Sequence, residues 1–203
     1  MSIHRRTAVA LLVGASSLLA ADFRSVWPAA VTRPWAGPEY WANPLQDWRI
    51  HNGRLENVQP GGDRNVFLLT RELAARPGTL EMRVLMGRLN PSESPGEGYA
   101  GFRFGIHGAF NDYRDSALRG EGVNAAMASD GSLFIGQLPA EAPRVPAPLQ
   151  DIELRLSATP EAAAYRVTLA AWKQGREVAK VSKTVDASWL PGGVALVSSS
   201  GKV

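Results

Sequence analysis

The densest run of side chains able to do chemistry is Asn111-Asp112-Tyr113-Arg114-Asp115, followed by Arg119-Gly120-Glu121-Gly122. With Arg103 just upstream it supplies guanidinium and carboxylate groups as directional partners for hydroxyls, and Tyr113 adds a stacking face. Such a set describes a ligand-binding edge. The acids and neighbouring carbonyl oxygens could instead hold calcium, which takes about six to eight oxygen ligands. The plain structural alternative is a strand start in which Arg114–Asp115 or Arg103–Asp112 pair across a sheet and Tyr113 is half buried. Six tryptophans at 27, 35, 41, 48, 172 and 189 carry the same duality between sugar-stacking platforms and core or edge packing.

Other chemistry is poorly supplied. There is no Cys, so disulfides, thiolate zinc sites and a Cys nucleophile are excluded. His4, His51 and His107 are the only histidines, with no paired-His motif, and a two-metal hydrolytic centre needs several His and Asp ligands around ions about 4 Å apart. His51 reads as a turn residue and His107 as the end of a strand. A retaining glycosidase needs two carboxylates about 5 Å apart on one strand face. Asp151 with Glu153 and Glu93 with Glu97 fall instead on a strand edge and in a Ser/Pro loop, away from aromatic strands. Phosphate loops, nucleophile elbows and dinucleotide fingerprints are absent from the sequence, so no catalytic residue and no metal ligand set is assigned.

The elements that must position these residues are short strands. The apolar content of 45% at 20% charge is that of a globular chain, and Gly 20 with Pro 14 suits many elements joined by turns. Prolines at 28, 34, 38 and 44 exclude a long helix from residues 22–45, which read as an extended lead-in whose Trp35, Tyr40 and Trp41 can pack on the domain. From residue 46 the pattern has period two. Trp48 to Val58 is a hairpin turning at Asn52-Gly53, since Asn-Gly supplies the positive φ angles of a tight turn. Alternation continues in Leu80-Met82-Val84-Met86, Phe102-Phe104-Ile106, Ile152-Leu154-Leu156 and Tyr165-Val167-Leu169-Ala171. Further strands are expected at 66–70, 123–128, 133–136, 178–185 and 194–198, with turns at 91–98, 139–148, Thr159-Pro160, Gln174-Gly175 and 191–193. No segment holds a helical apolar period over three turns. The expected class is all-β, an antiparallel two-sheet sandwich over residues 46–203.

Residues 1–21 read as an export signal, a signal helix with basic Arg5-Arg6, an apolar run from Thr7 to Ala20, and small residues at the end. That run is shorter than the roughly 20 residues that span a bilayer, so no membrane span is expected after cleavage. The arginine pair partly resembles a twin-arginine signal, and general secretory export is equally open. Removing the pair takes the formal charge from +3 to 3 − 2 = +1, which argues against a nucleic-acid partner. The expected location is periplasmic or extracellular.

The segments 37–48 (Gly-Pro-Glu-Tyr-Trp-Ala-Asn-Pro-Leu-Gln-Asp-Trp), Gly53-Arg54-Leu55-Glu56, Gly61-Gly62-Asp63-Arg64-Asn65-Val66, Phe110 to Asp115 and Asp130 to Gly136 together resemble the N-terminal region of exported alkaline phosphatase D-like proteins. The resemblance covers most of residues 37–200. It implies a concanavalin- or laminin G-like jelly-roll sandwich that precedes a calcineurin-like metallophosphoesterase domain. The phosphatase ligand blocks themselves are missing. The resemblance therefore implies an accessory module, truncated at its C-terminal edge, that binds a glycan or packs on a phosphoesterase domain. A second reading is a fragment or subunit of a secreted phosphoesterase whose catalytic domain is absent here, and a third is a structural envelope protein without a ligand. Arg103, Asn111, Asp112, Tyr113, Arg114 and Asp115 are the candidate ligand-binding residues, with calcium the one cofactor left open.

Overall fold

A computed structural model describes residues 23–59, 61–91, 96–110 and 112–199; the expected export segment and Asn111 lie outside the described residues. Period-two alternation becomes β1 (Tyr40–Asn43), β2 (Trp48–His51), β3 (Arg54–Asn57), β4 (Arg64–Leu73), β5 (Leu80–Met86) and β6 (Tyr99–His107). After α1 (Tyr113–Arg119) come β7 (Glu121–Ala128), β8 (Leu133–Ile135), β9 (Ile152–Glu161), β10 (Ala164–Lys173), β11 (Arg176–Asp186) and β12 (Gly192–Ser199). A six-stranded antiparallel sheet runs β1-β4-β12-β6-β7-β8, and a four-stranded one runs β11-β10-β9-β5. The expected all-β antiparallel sandwich is what forms.

The two sheets bury the apolar half of each alternation. Phe102, Phe104, Ala125, Met127, Leu133, Ile135 and Val194 of the larger sheet meet Ile152, Leu154, Leu156, Val167 and Leu169 of the smaller. Burying each such large side chain contributes roughly 1.5–3 kcal/mol, and this core does so in place of disulfides. The outer face of the smaller sheet is a lattice of charge. Glu153 and Arg155 pair there at 2.8 Å, and Arg155 lies 3.9 Å over the Trp172 ring.

The β2–β3 hairpin forms as its Asn-Gly requires, with Asn52 at φ 51 and Gly53 at φ 71. It turns Trp48 and Ile50 onto Ala42 and Val66, closing a second small core. The lead-in is tied down rather than merely extended. Tyr40 donates its hydroxyl to Ser25 Oγ at 2.7 Å, the Trp27 ring packs at a 44° tilt with its centroid 5.9 Å from that of Tyr40, and Tyr40–Asn43 is the edge strand beside β4. One turn is corrected: β9 runs through Thr159 and Pro160 to Glu161, and the chain reverses at Ala162, φ 53. Pro160 is tolerated because β5 ends opposite Ala158, so beyond that point β9 has a neighbour on one side only.

Gly105 sets the geometry of the larger sheet. Its φ of +62 interrupts the register of β6 with β7 between Phe104 and His107. The bulge reverses the alternation. Phe102 and Phe104 face the core between the sheets, whereas Ile106 turns outward to join Phe67, Ala195 and Ala117. That outward patch is the seat of α1.

Candidate functional site

Arg103 lies on the outer face of β6, since its neighbours Phe102 and Phe104 fill the inner one. Register places it beside Ala195 of β12 and Asn124 of β7. Its Nε donates to Asn124 Oδ1 at 2.8 Å, and Asn124 Nδ2 donates in turn to the Tyr99 hydroxyl at 3.1 Å. The other end of the guanidinium meets Asp63 Oδ1 at 2.5 Å. Asp63 precedes β4, whose Arg64 faces Ser198, so this ion pair crosses β12 diagonally and covers Val197. Around it the floor is made of small buried residues, Gly101 and Ala126, and Tyr99 meets Phe134 edge-on at 5.5 Å. The result is a polar row, half-buried at Asn124 and Tyr99, open at Asp63, with a buried cation beneath.

The second constellation takes a different form from the expected strand start. Asp112 caps α1, accepting from Arg114 N at 2.8 Å, and Arg114 turns back to the same carboxylate at 2.6 Å. Ala117 is the buried anchor under the helix, and Tyr113 is 63% exposed. The expected pairs Arg103–Asp112 and Arg114–Asp115 do not form. Arg103 is satisfied by Asp63, Arg114 by Asp112, and Asp115 Oδ2 accepts from Phe110 N at 3.1 Å. The physical reason is local. An Asp cap, an acid in the first turn and Ala117-Leu118-Arg119 before Gly120 make a capped helix of seven residues, too short to show a period over three turns.

The calcium reading does not fit these donors. Both Asp112 oxygens are engaged by Arg114, Asp115 Oδ2 accepts from Phe110 N, and Asp63 Oδ1 is paired with Arg103. Among the described residues no group of three or more His, Cys, Asp or Glu is placed to hold a metal ion. The acid pair Asp151 and Glu153 is likewise engaged at Glu153. Arg155 hydrogen-bonds Glu153 and holds its carboxyl below the ordinary glutamate range.

Of the six sequence candidates, the structure leaves Arg103 on the sheet and puts Asp112, Tyr113, Arg114 and Asp115 at the start of α1. Asn124, Tyr99 and Asp63 were missed as partners. Asn124 was findable, because a hairpin-like return from β6 places an outward Asn opposite an outward Arg. For Asp63 the signal was Gly61-Gly62, a tight loop that throws the next residue into the left-handed region at φ 55.

Asp112 yields a pH prediction. Its hydrogen bonds from Arg114 pull its pKa below the ordinary 3.8. A depressed carboxylate stabilises the fold fully above its ordinary value, and that contribution fades as pH falls through the lower folded value. The Arg114 amide resonance is therefore expected to titrate below pH 3.8. An inflection at or above that value would refute the capping bond.

Fold and site together define an antiparallel two-sheet β-sandwich with a polar row on the outer face of its larger sheet. No family model matches the chain, and no curated protein matches it. A solved structure with some likeness is the SPRY domain of human HERC1, at TM-score 0.35 and 10% identity, covering 82% of this chain and 96% of that one. Of the resemblance drawn from the sequence, the sandwich itself stands in the structure. Among the described residues no helix is long and apolar enough to cross a membrane.

Proposed function

We propose that this chain is an exported, non-catalytic recognition module that binds a glycan over the outer face of its six-stranded sheet. The carrying observation is the hydrogen-bonded row Asp63–Arg103–Asn124–Tyr99. Sugar hydroxyls both donate and accept, and this row offers an acid, a guanidinium, an amide and a phenol side by side next to an aromatic pair. A glycan would meet Asp63, Asn124 and Tyr99 first, with Arg103 fixing their orientation from below. Export rests on the basic and apolar pattern of residues 1–21.

A glycan array probed with the full chain tests this reading, and a blank array sinks it. Tyr99→Phe is expected to weaken binding to any glycan found by about tenfold, the loss of about one hydrogen bond, while the Arg103–Asn124 bond and most of the stability remain. Equal loss of binding and of stability would mean that the Tyr99 hydroxyl only props up Asn124.

A second reading, packing on a metallophosphoesterase domain, is favoured by the apolar groups left bare around α1. Phe110 is 71% exposed, Leu118 43% and Trp41 40%, and Asn43, two residues beyond Trp41 on β1, donates to the Leu118 carbonyl at 3.3 Å. Titration with a purified phosphoesterase domain distinguishes it. Phe110→Ala and Leu118→Ala would abolish that complex and spare glycan binding.

A further inference from the structure

The β2–β3 hairpin carries a second polar feature, on the face turned away from its small core. Register pairs Arg49 with Glu56 and His51 with Arg54, which puts all four side chains on one side of the ribbon. Together with Val58, Leu89 and Asn90 they line a cleft of about 360 Å³. Glu56 is almost completely buried, its side chain 3% exposed, and both of its oxygens are taken. Arg49 Nε donates to one at 2.8 Å and Arg54 Nη2 to the other at 3.0 Å.

A buried carboxylate therefore holds two guanidinium groups in place on the wall of an open cleft. Each guanidinium has five N–H donors and spends one on Glu56. The two arginine side chains are 43% and 65% exposed, which leaves both guanidinium groups accessible from the cleft. His51 is braced on both ring nitrogens, by Thr32 at 2.9 Å and Asn52 at 3.1 Å. The cleft thus has two forks of donors held in place by one buried carboxylate, each of whose oxygens accepts from one of them. Planar forks of this kind match the oxygens of carboxylate, phosphate and sulfate.

We propose that this cleft is an oxyanion-binding site, taking a carboxylate or a phosphate or sulfate ester group between Arg49 and Arg54. The site is separate from the outer sheet face and stands whether or not that face binds a glycan. Acidic sugars and phosphate esters share this chemistry, and the choice of probe separates them.

The test is calorimetric or NMR titration of the full chain with sodium phosphate, sodium sulfate and sodium glucuronate at constant ionic strength. Saturable binding is expected for at least one. Stronger binding of glucuronate assigns the site to acidic sugars, and of phosphate or sulfate to esters. Val58→Phe fills the cleft without touching either ion pair, and Arg54→Gln removes one fork; each is expected to weaken binding by about tenfold or more. The melting temperature of Val58→Phe, followed in parallel, separates a blocked cleft from a damaged fold. No saturable binding of any probe, or equal affinity in a folded Val58→Phe, overturns the proposal.

Discussion

Gly105→Ala is expected to lower the melting temperature by roughly 6–12 °C and to release α1 from the sheet. Two effects add. Gly105 sits at φ +62, where a side chain costs about 1–2 kcal/mol. A Cβ there would also overlap the Trp189 carbonyl oxygen, a backbone atom that cannot rotate away, which adds about 1–3 kcal/mol. The larger consequence is geometric. Without the bulge β6 would keep its alternation, Ile106 would turn toward the inter-sheet core, and Ala117 would lose its seat on Phe67, Ile106 and Ala195. Thermal melting with hydrogen exchange over residues 113–119 checks both parts. A variant that melts within about 2 °C of the parent and keeps its α1 amides protected would show that the bulge is not set by the glycine.

This bulge also marks where the sequence stops being legible. The sandwich follows from period-two alternation in β5, β6, β9 and β10, because each face of a strand is either buried or wet and the residue types declare which. The hairpin turn follows from Asn52-Gly53 for an equally local reason. Ile106 continued the apolar alternation of Phe102 and Phe104, and only the backbone conformation of Gly105 sends it the other way. The sequence of residues 111–115 held two local programs, a strand start and a capped helix. The outcome was decided by Ile106, Phe67 and Ala195, which lie far away in the chain and give a short helix something to bury against. Likewise Arg103 was recognisable as a polar residue on a strand, but its carboxylate partner was not. Asp63 is 40 residues away, and the two meet only because β12, from the far end of the chain, lies between β4 and β6.

That partnership leads to the second large expected effect. By exposure alone Asp63, at 70%, would count as a surface residue whose ion pair contributes about 0–1 kcal/mol. Its partner is not on the surface, since the Arg103 side chain is 10% exposed. Neutralising Asp63 strands a buried guanidinium with one amide acceptor, and a buried charge left unpaired is penalised far more than a solvated one. Asp63→Asn isolates this effect, because Asn tolerates the left-handed backbone as well as Asp does. It is expected to destabilise by about 2 kcal/mol, below the full penalty of a sealed pair because water can enter where Asp63 now sits. Arg103→Met removes the buried charge and keeps most of the side-chain volume over Val197. In that background Asp63→Asn should then cost almost nothing, so the two substitutions are strongly non-additive. Denaturant melts of the two single variants and the double variant provide the cycle. A cost for Asp63→Asn below about 0.5 kcal/mol, or the same cost in both backgrounds, would show that Arg103 is satisfied without Asp63, leaving Asn124 as the anchor of the polar row.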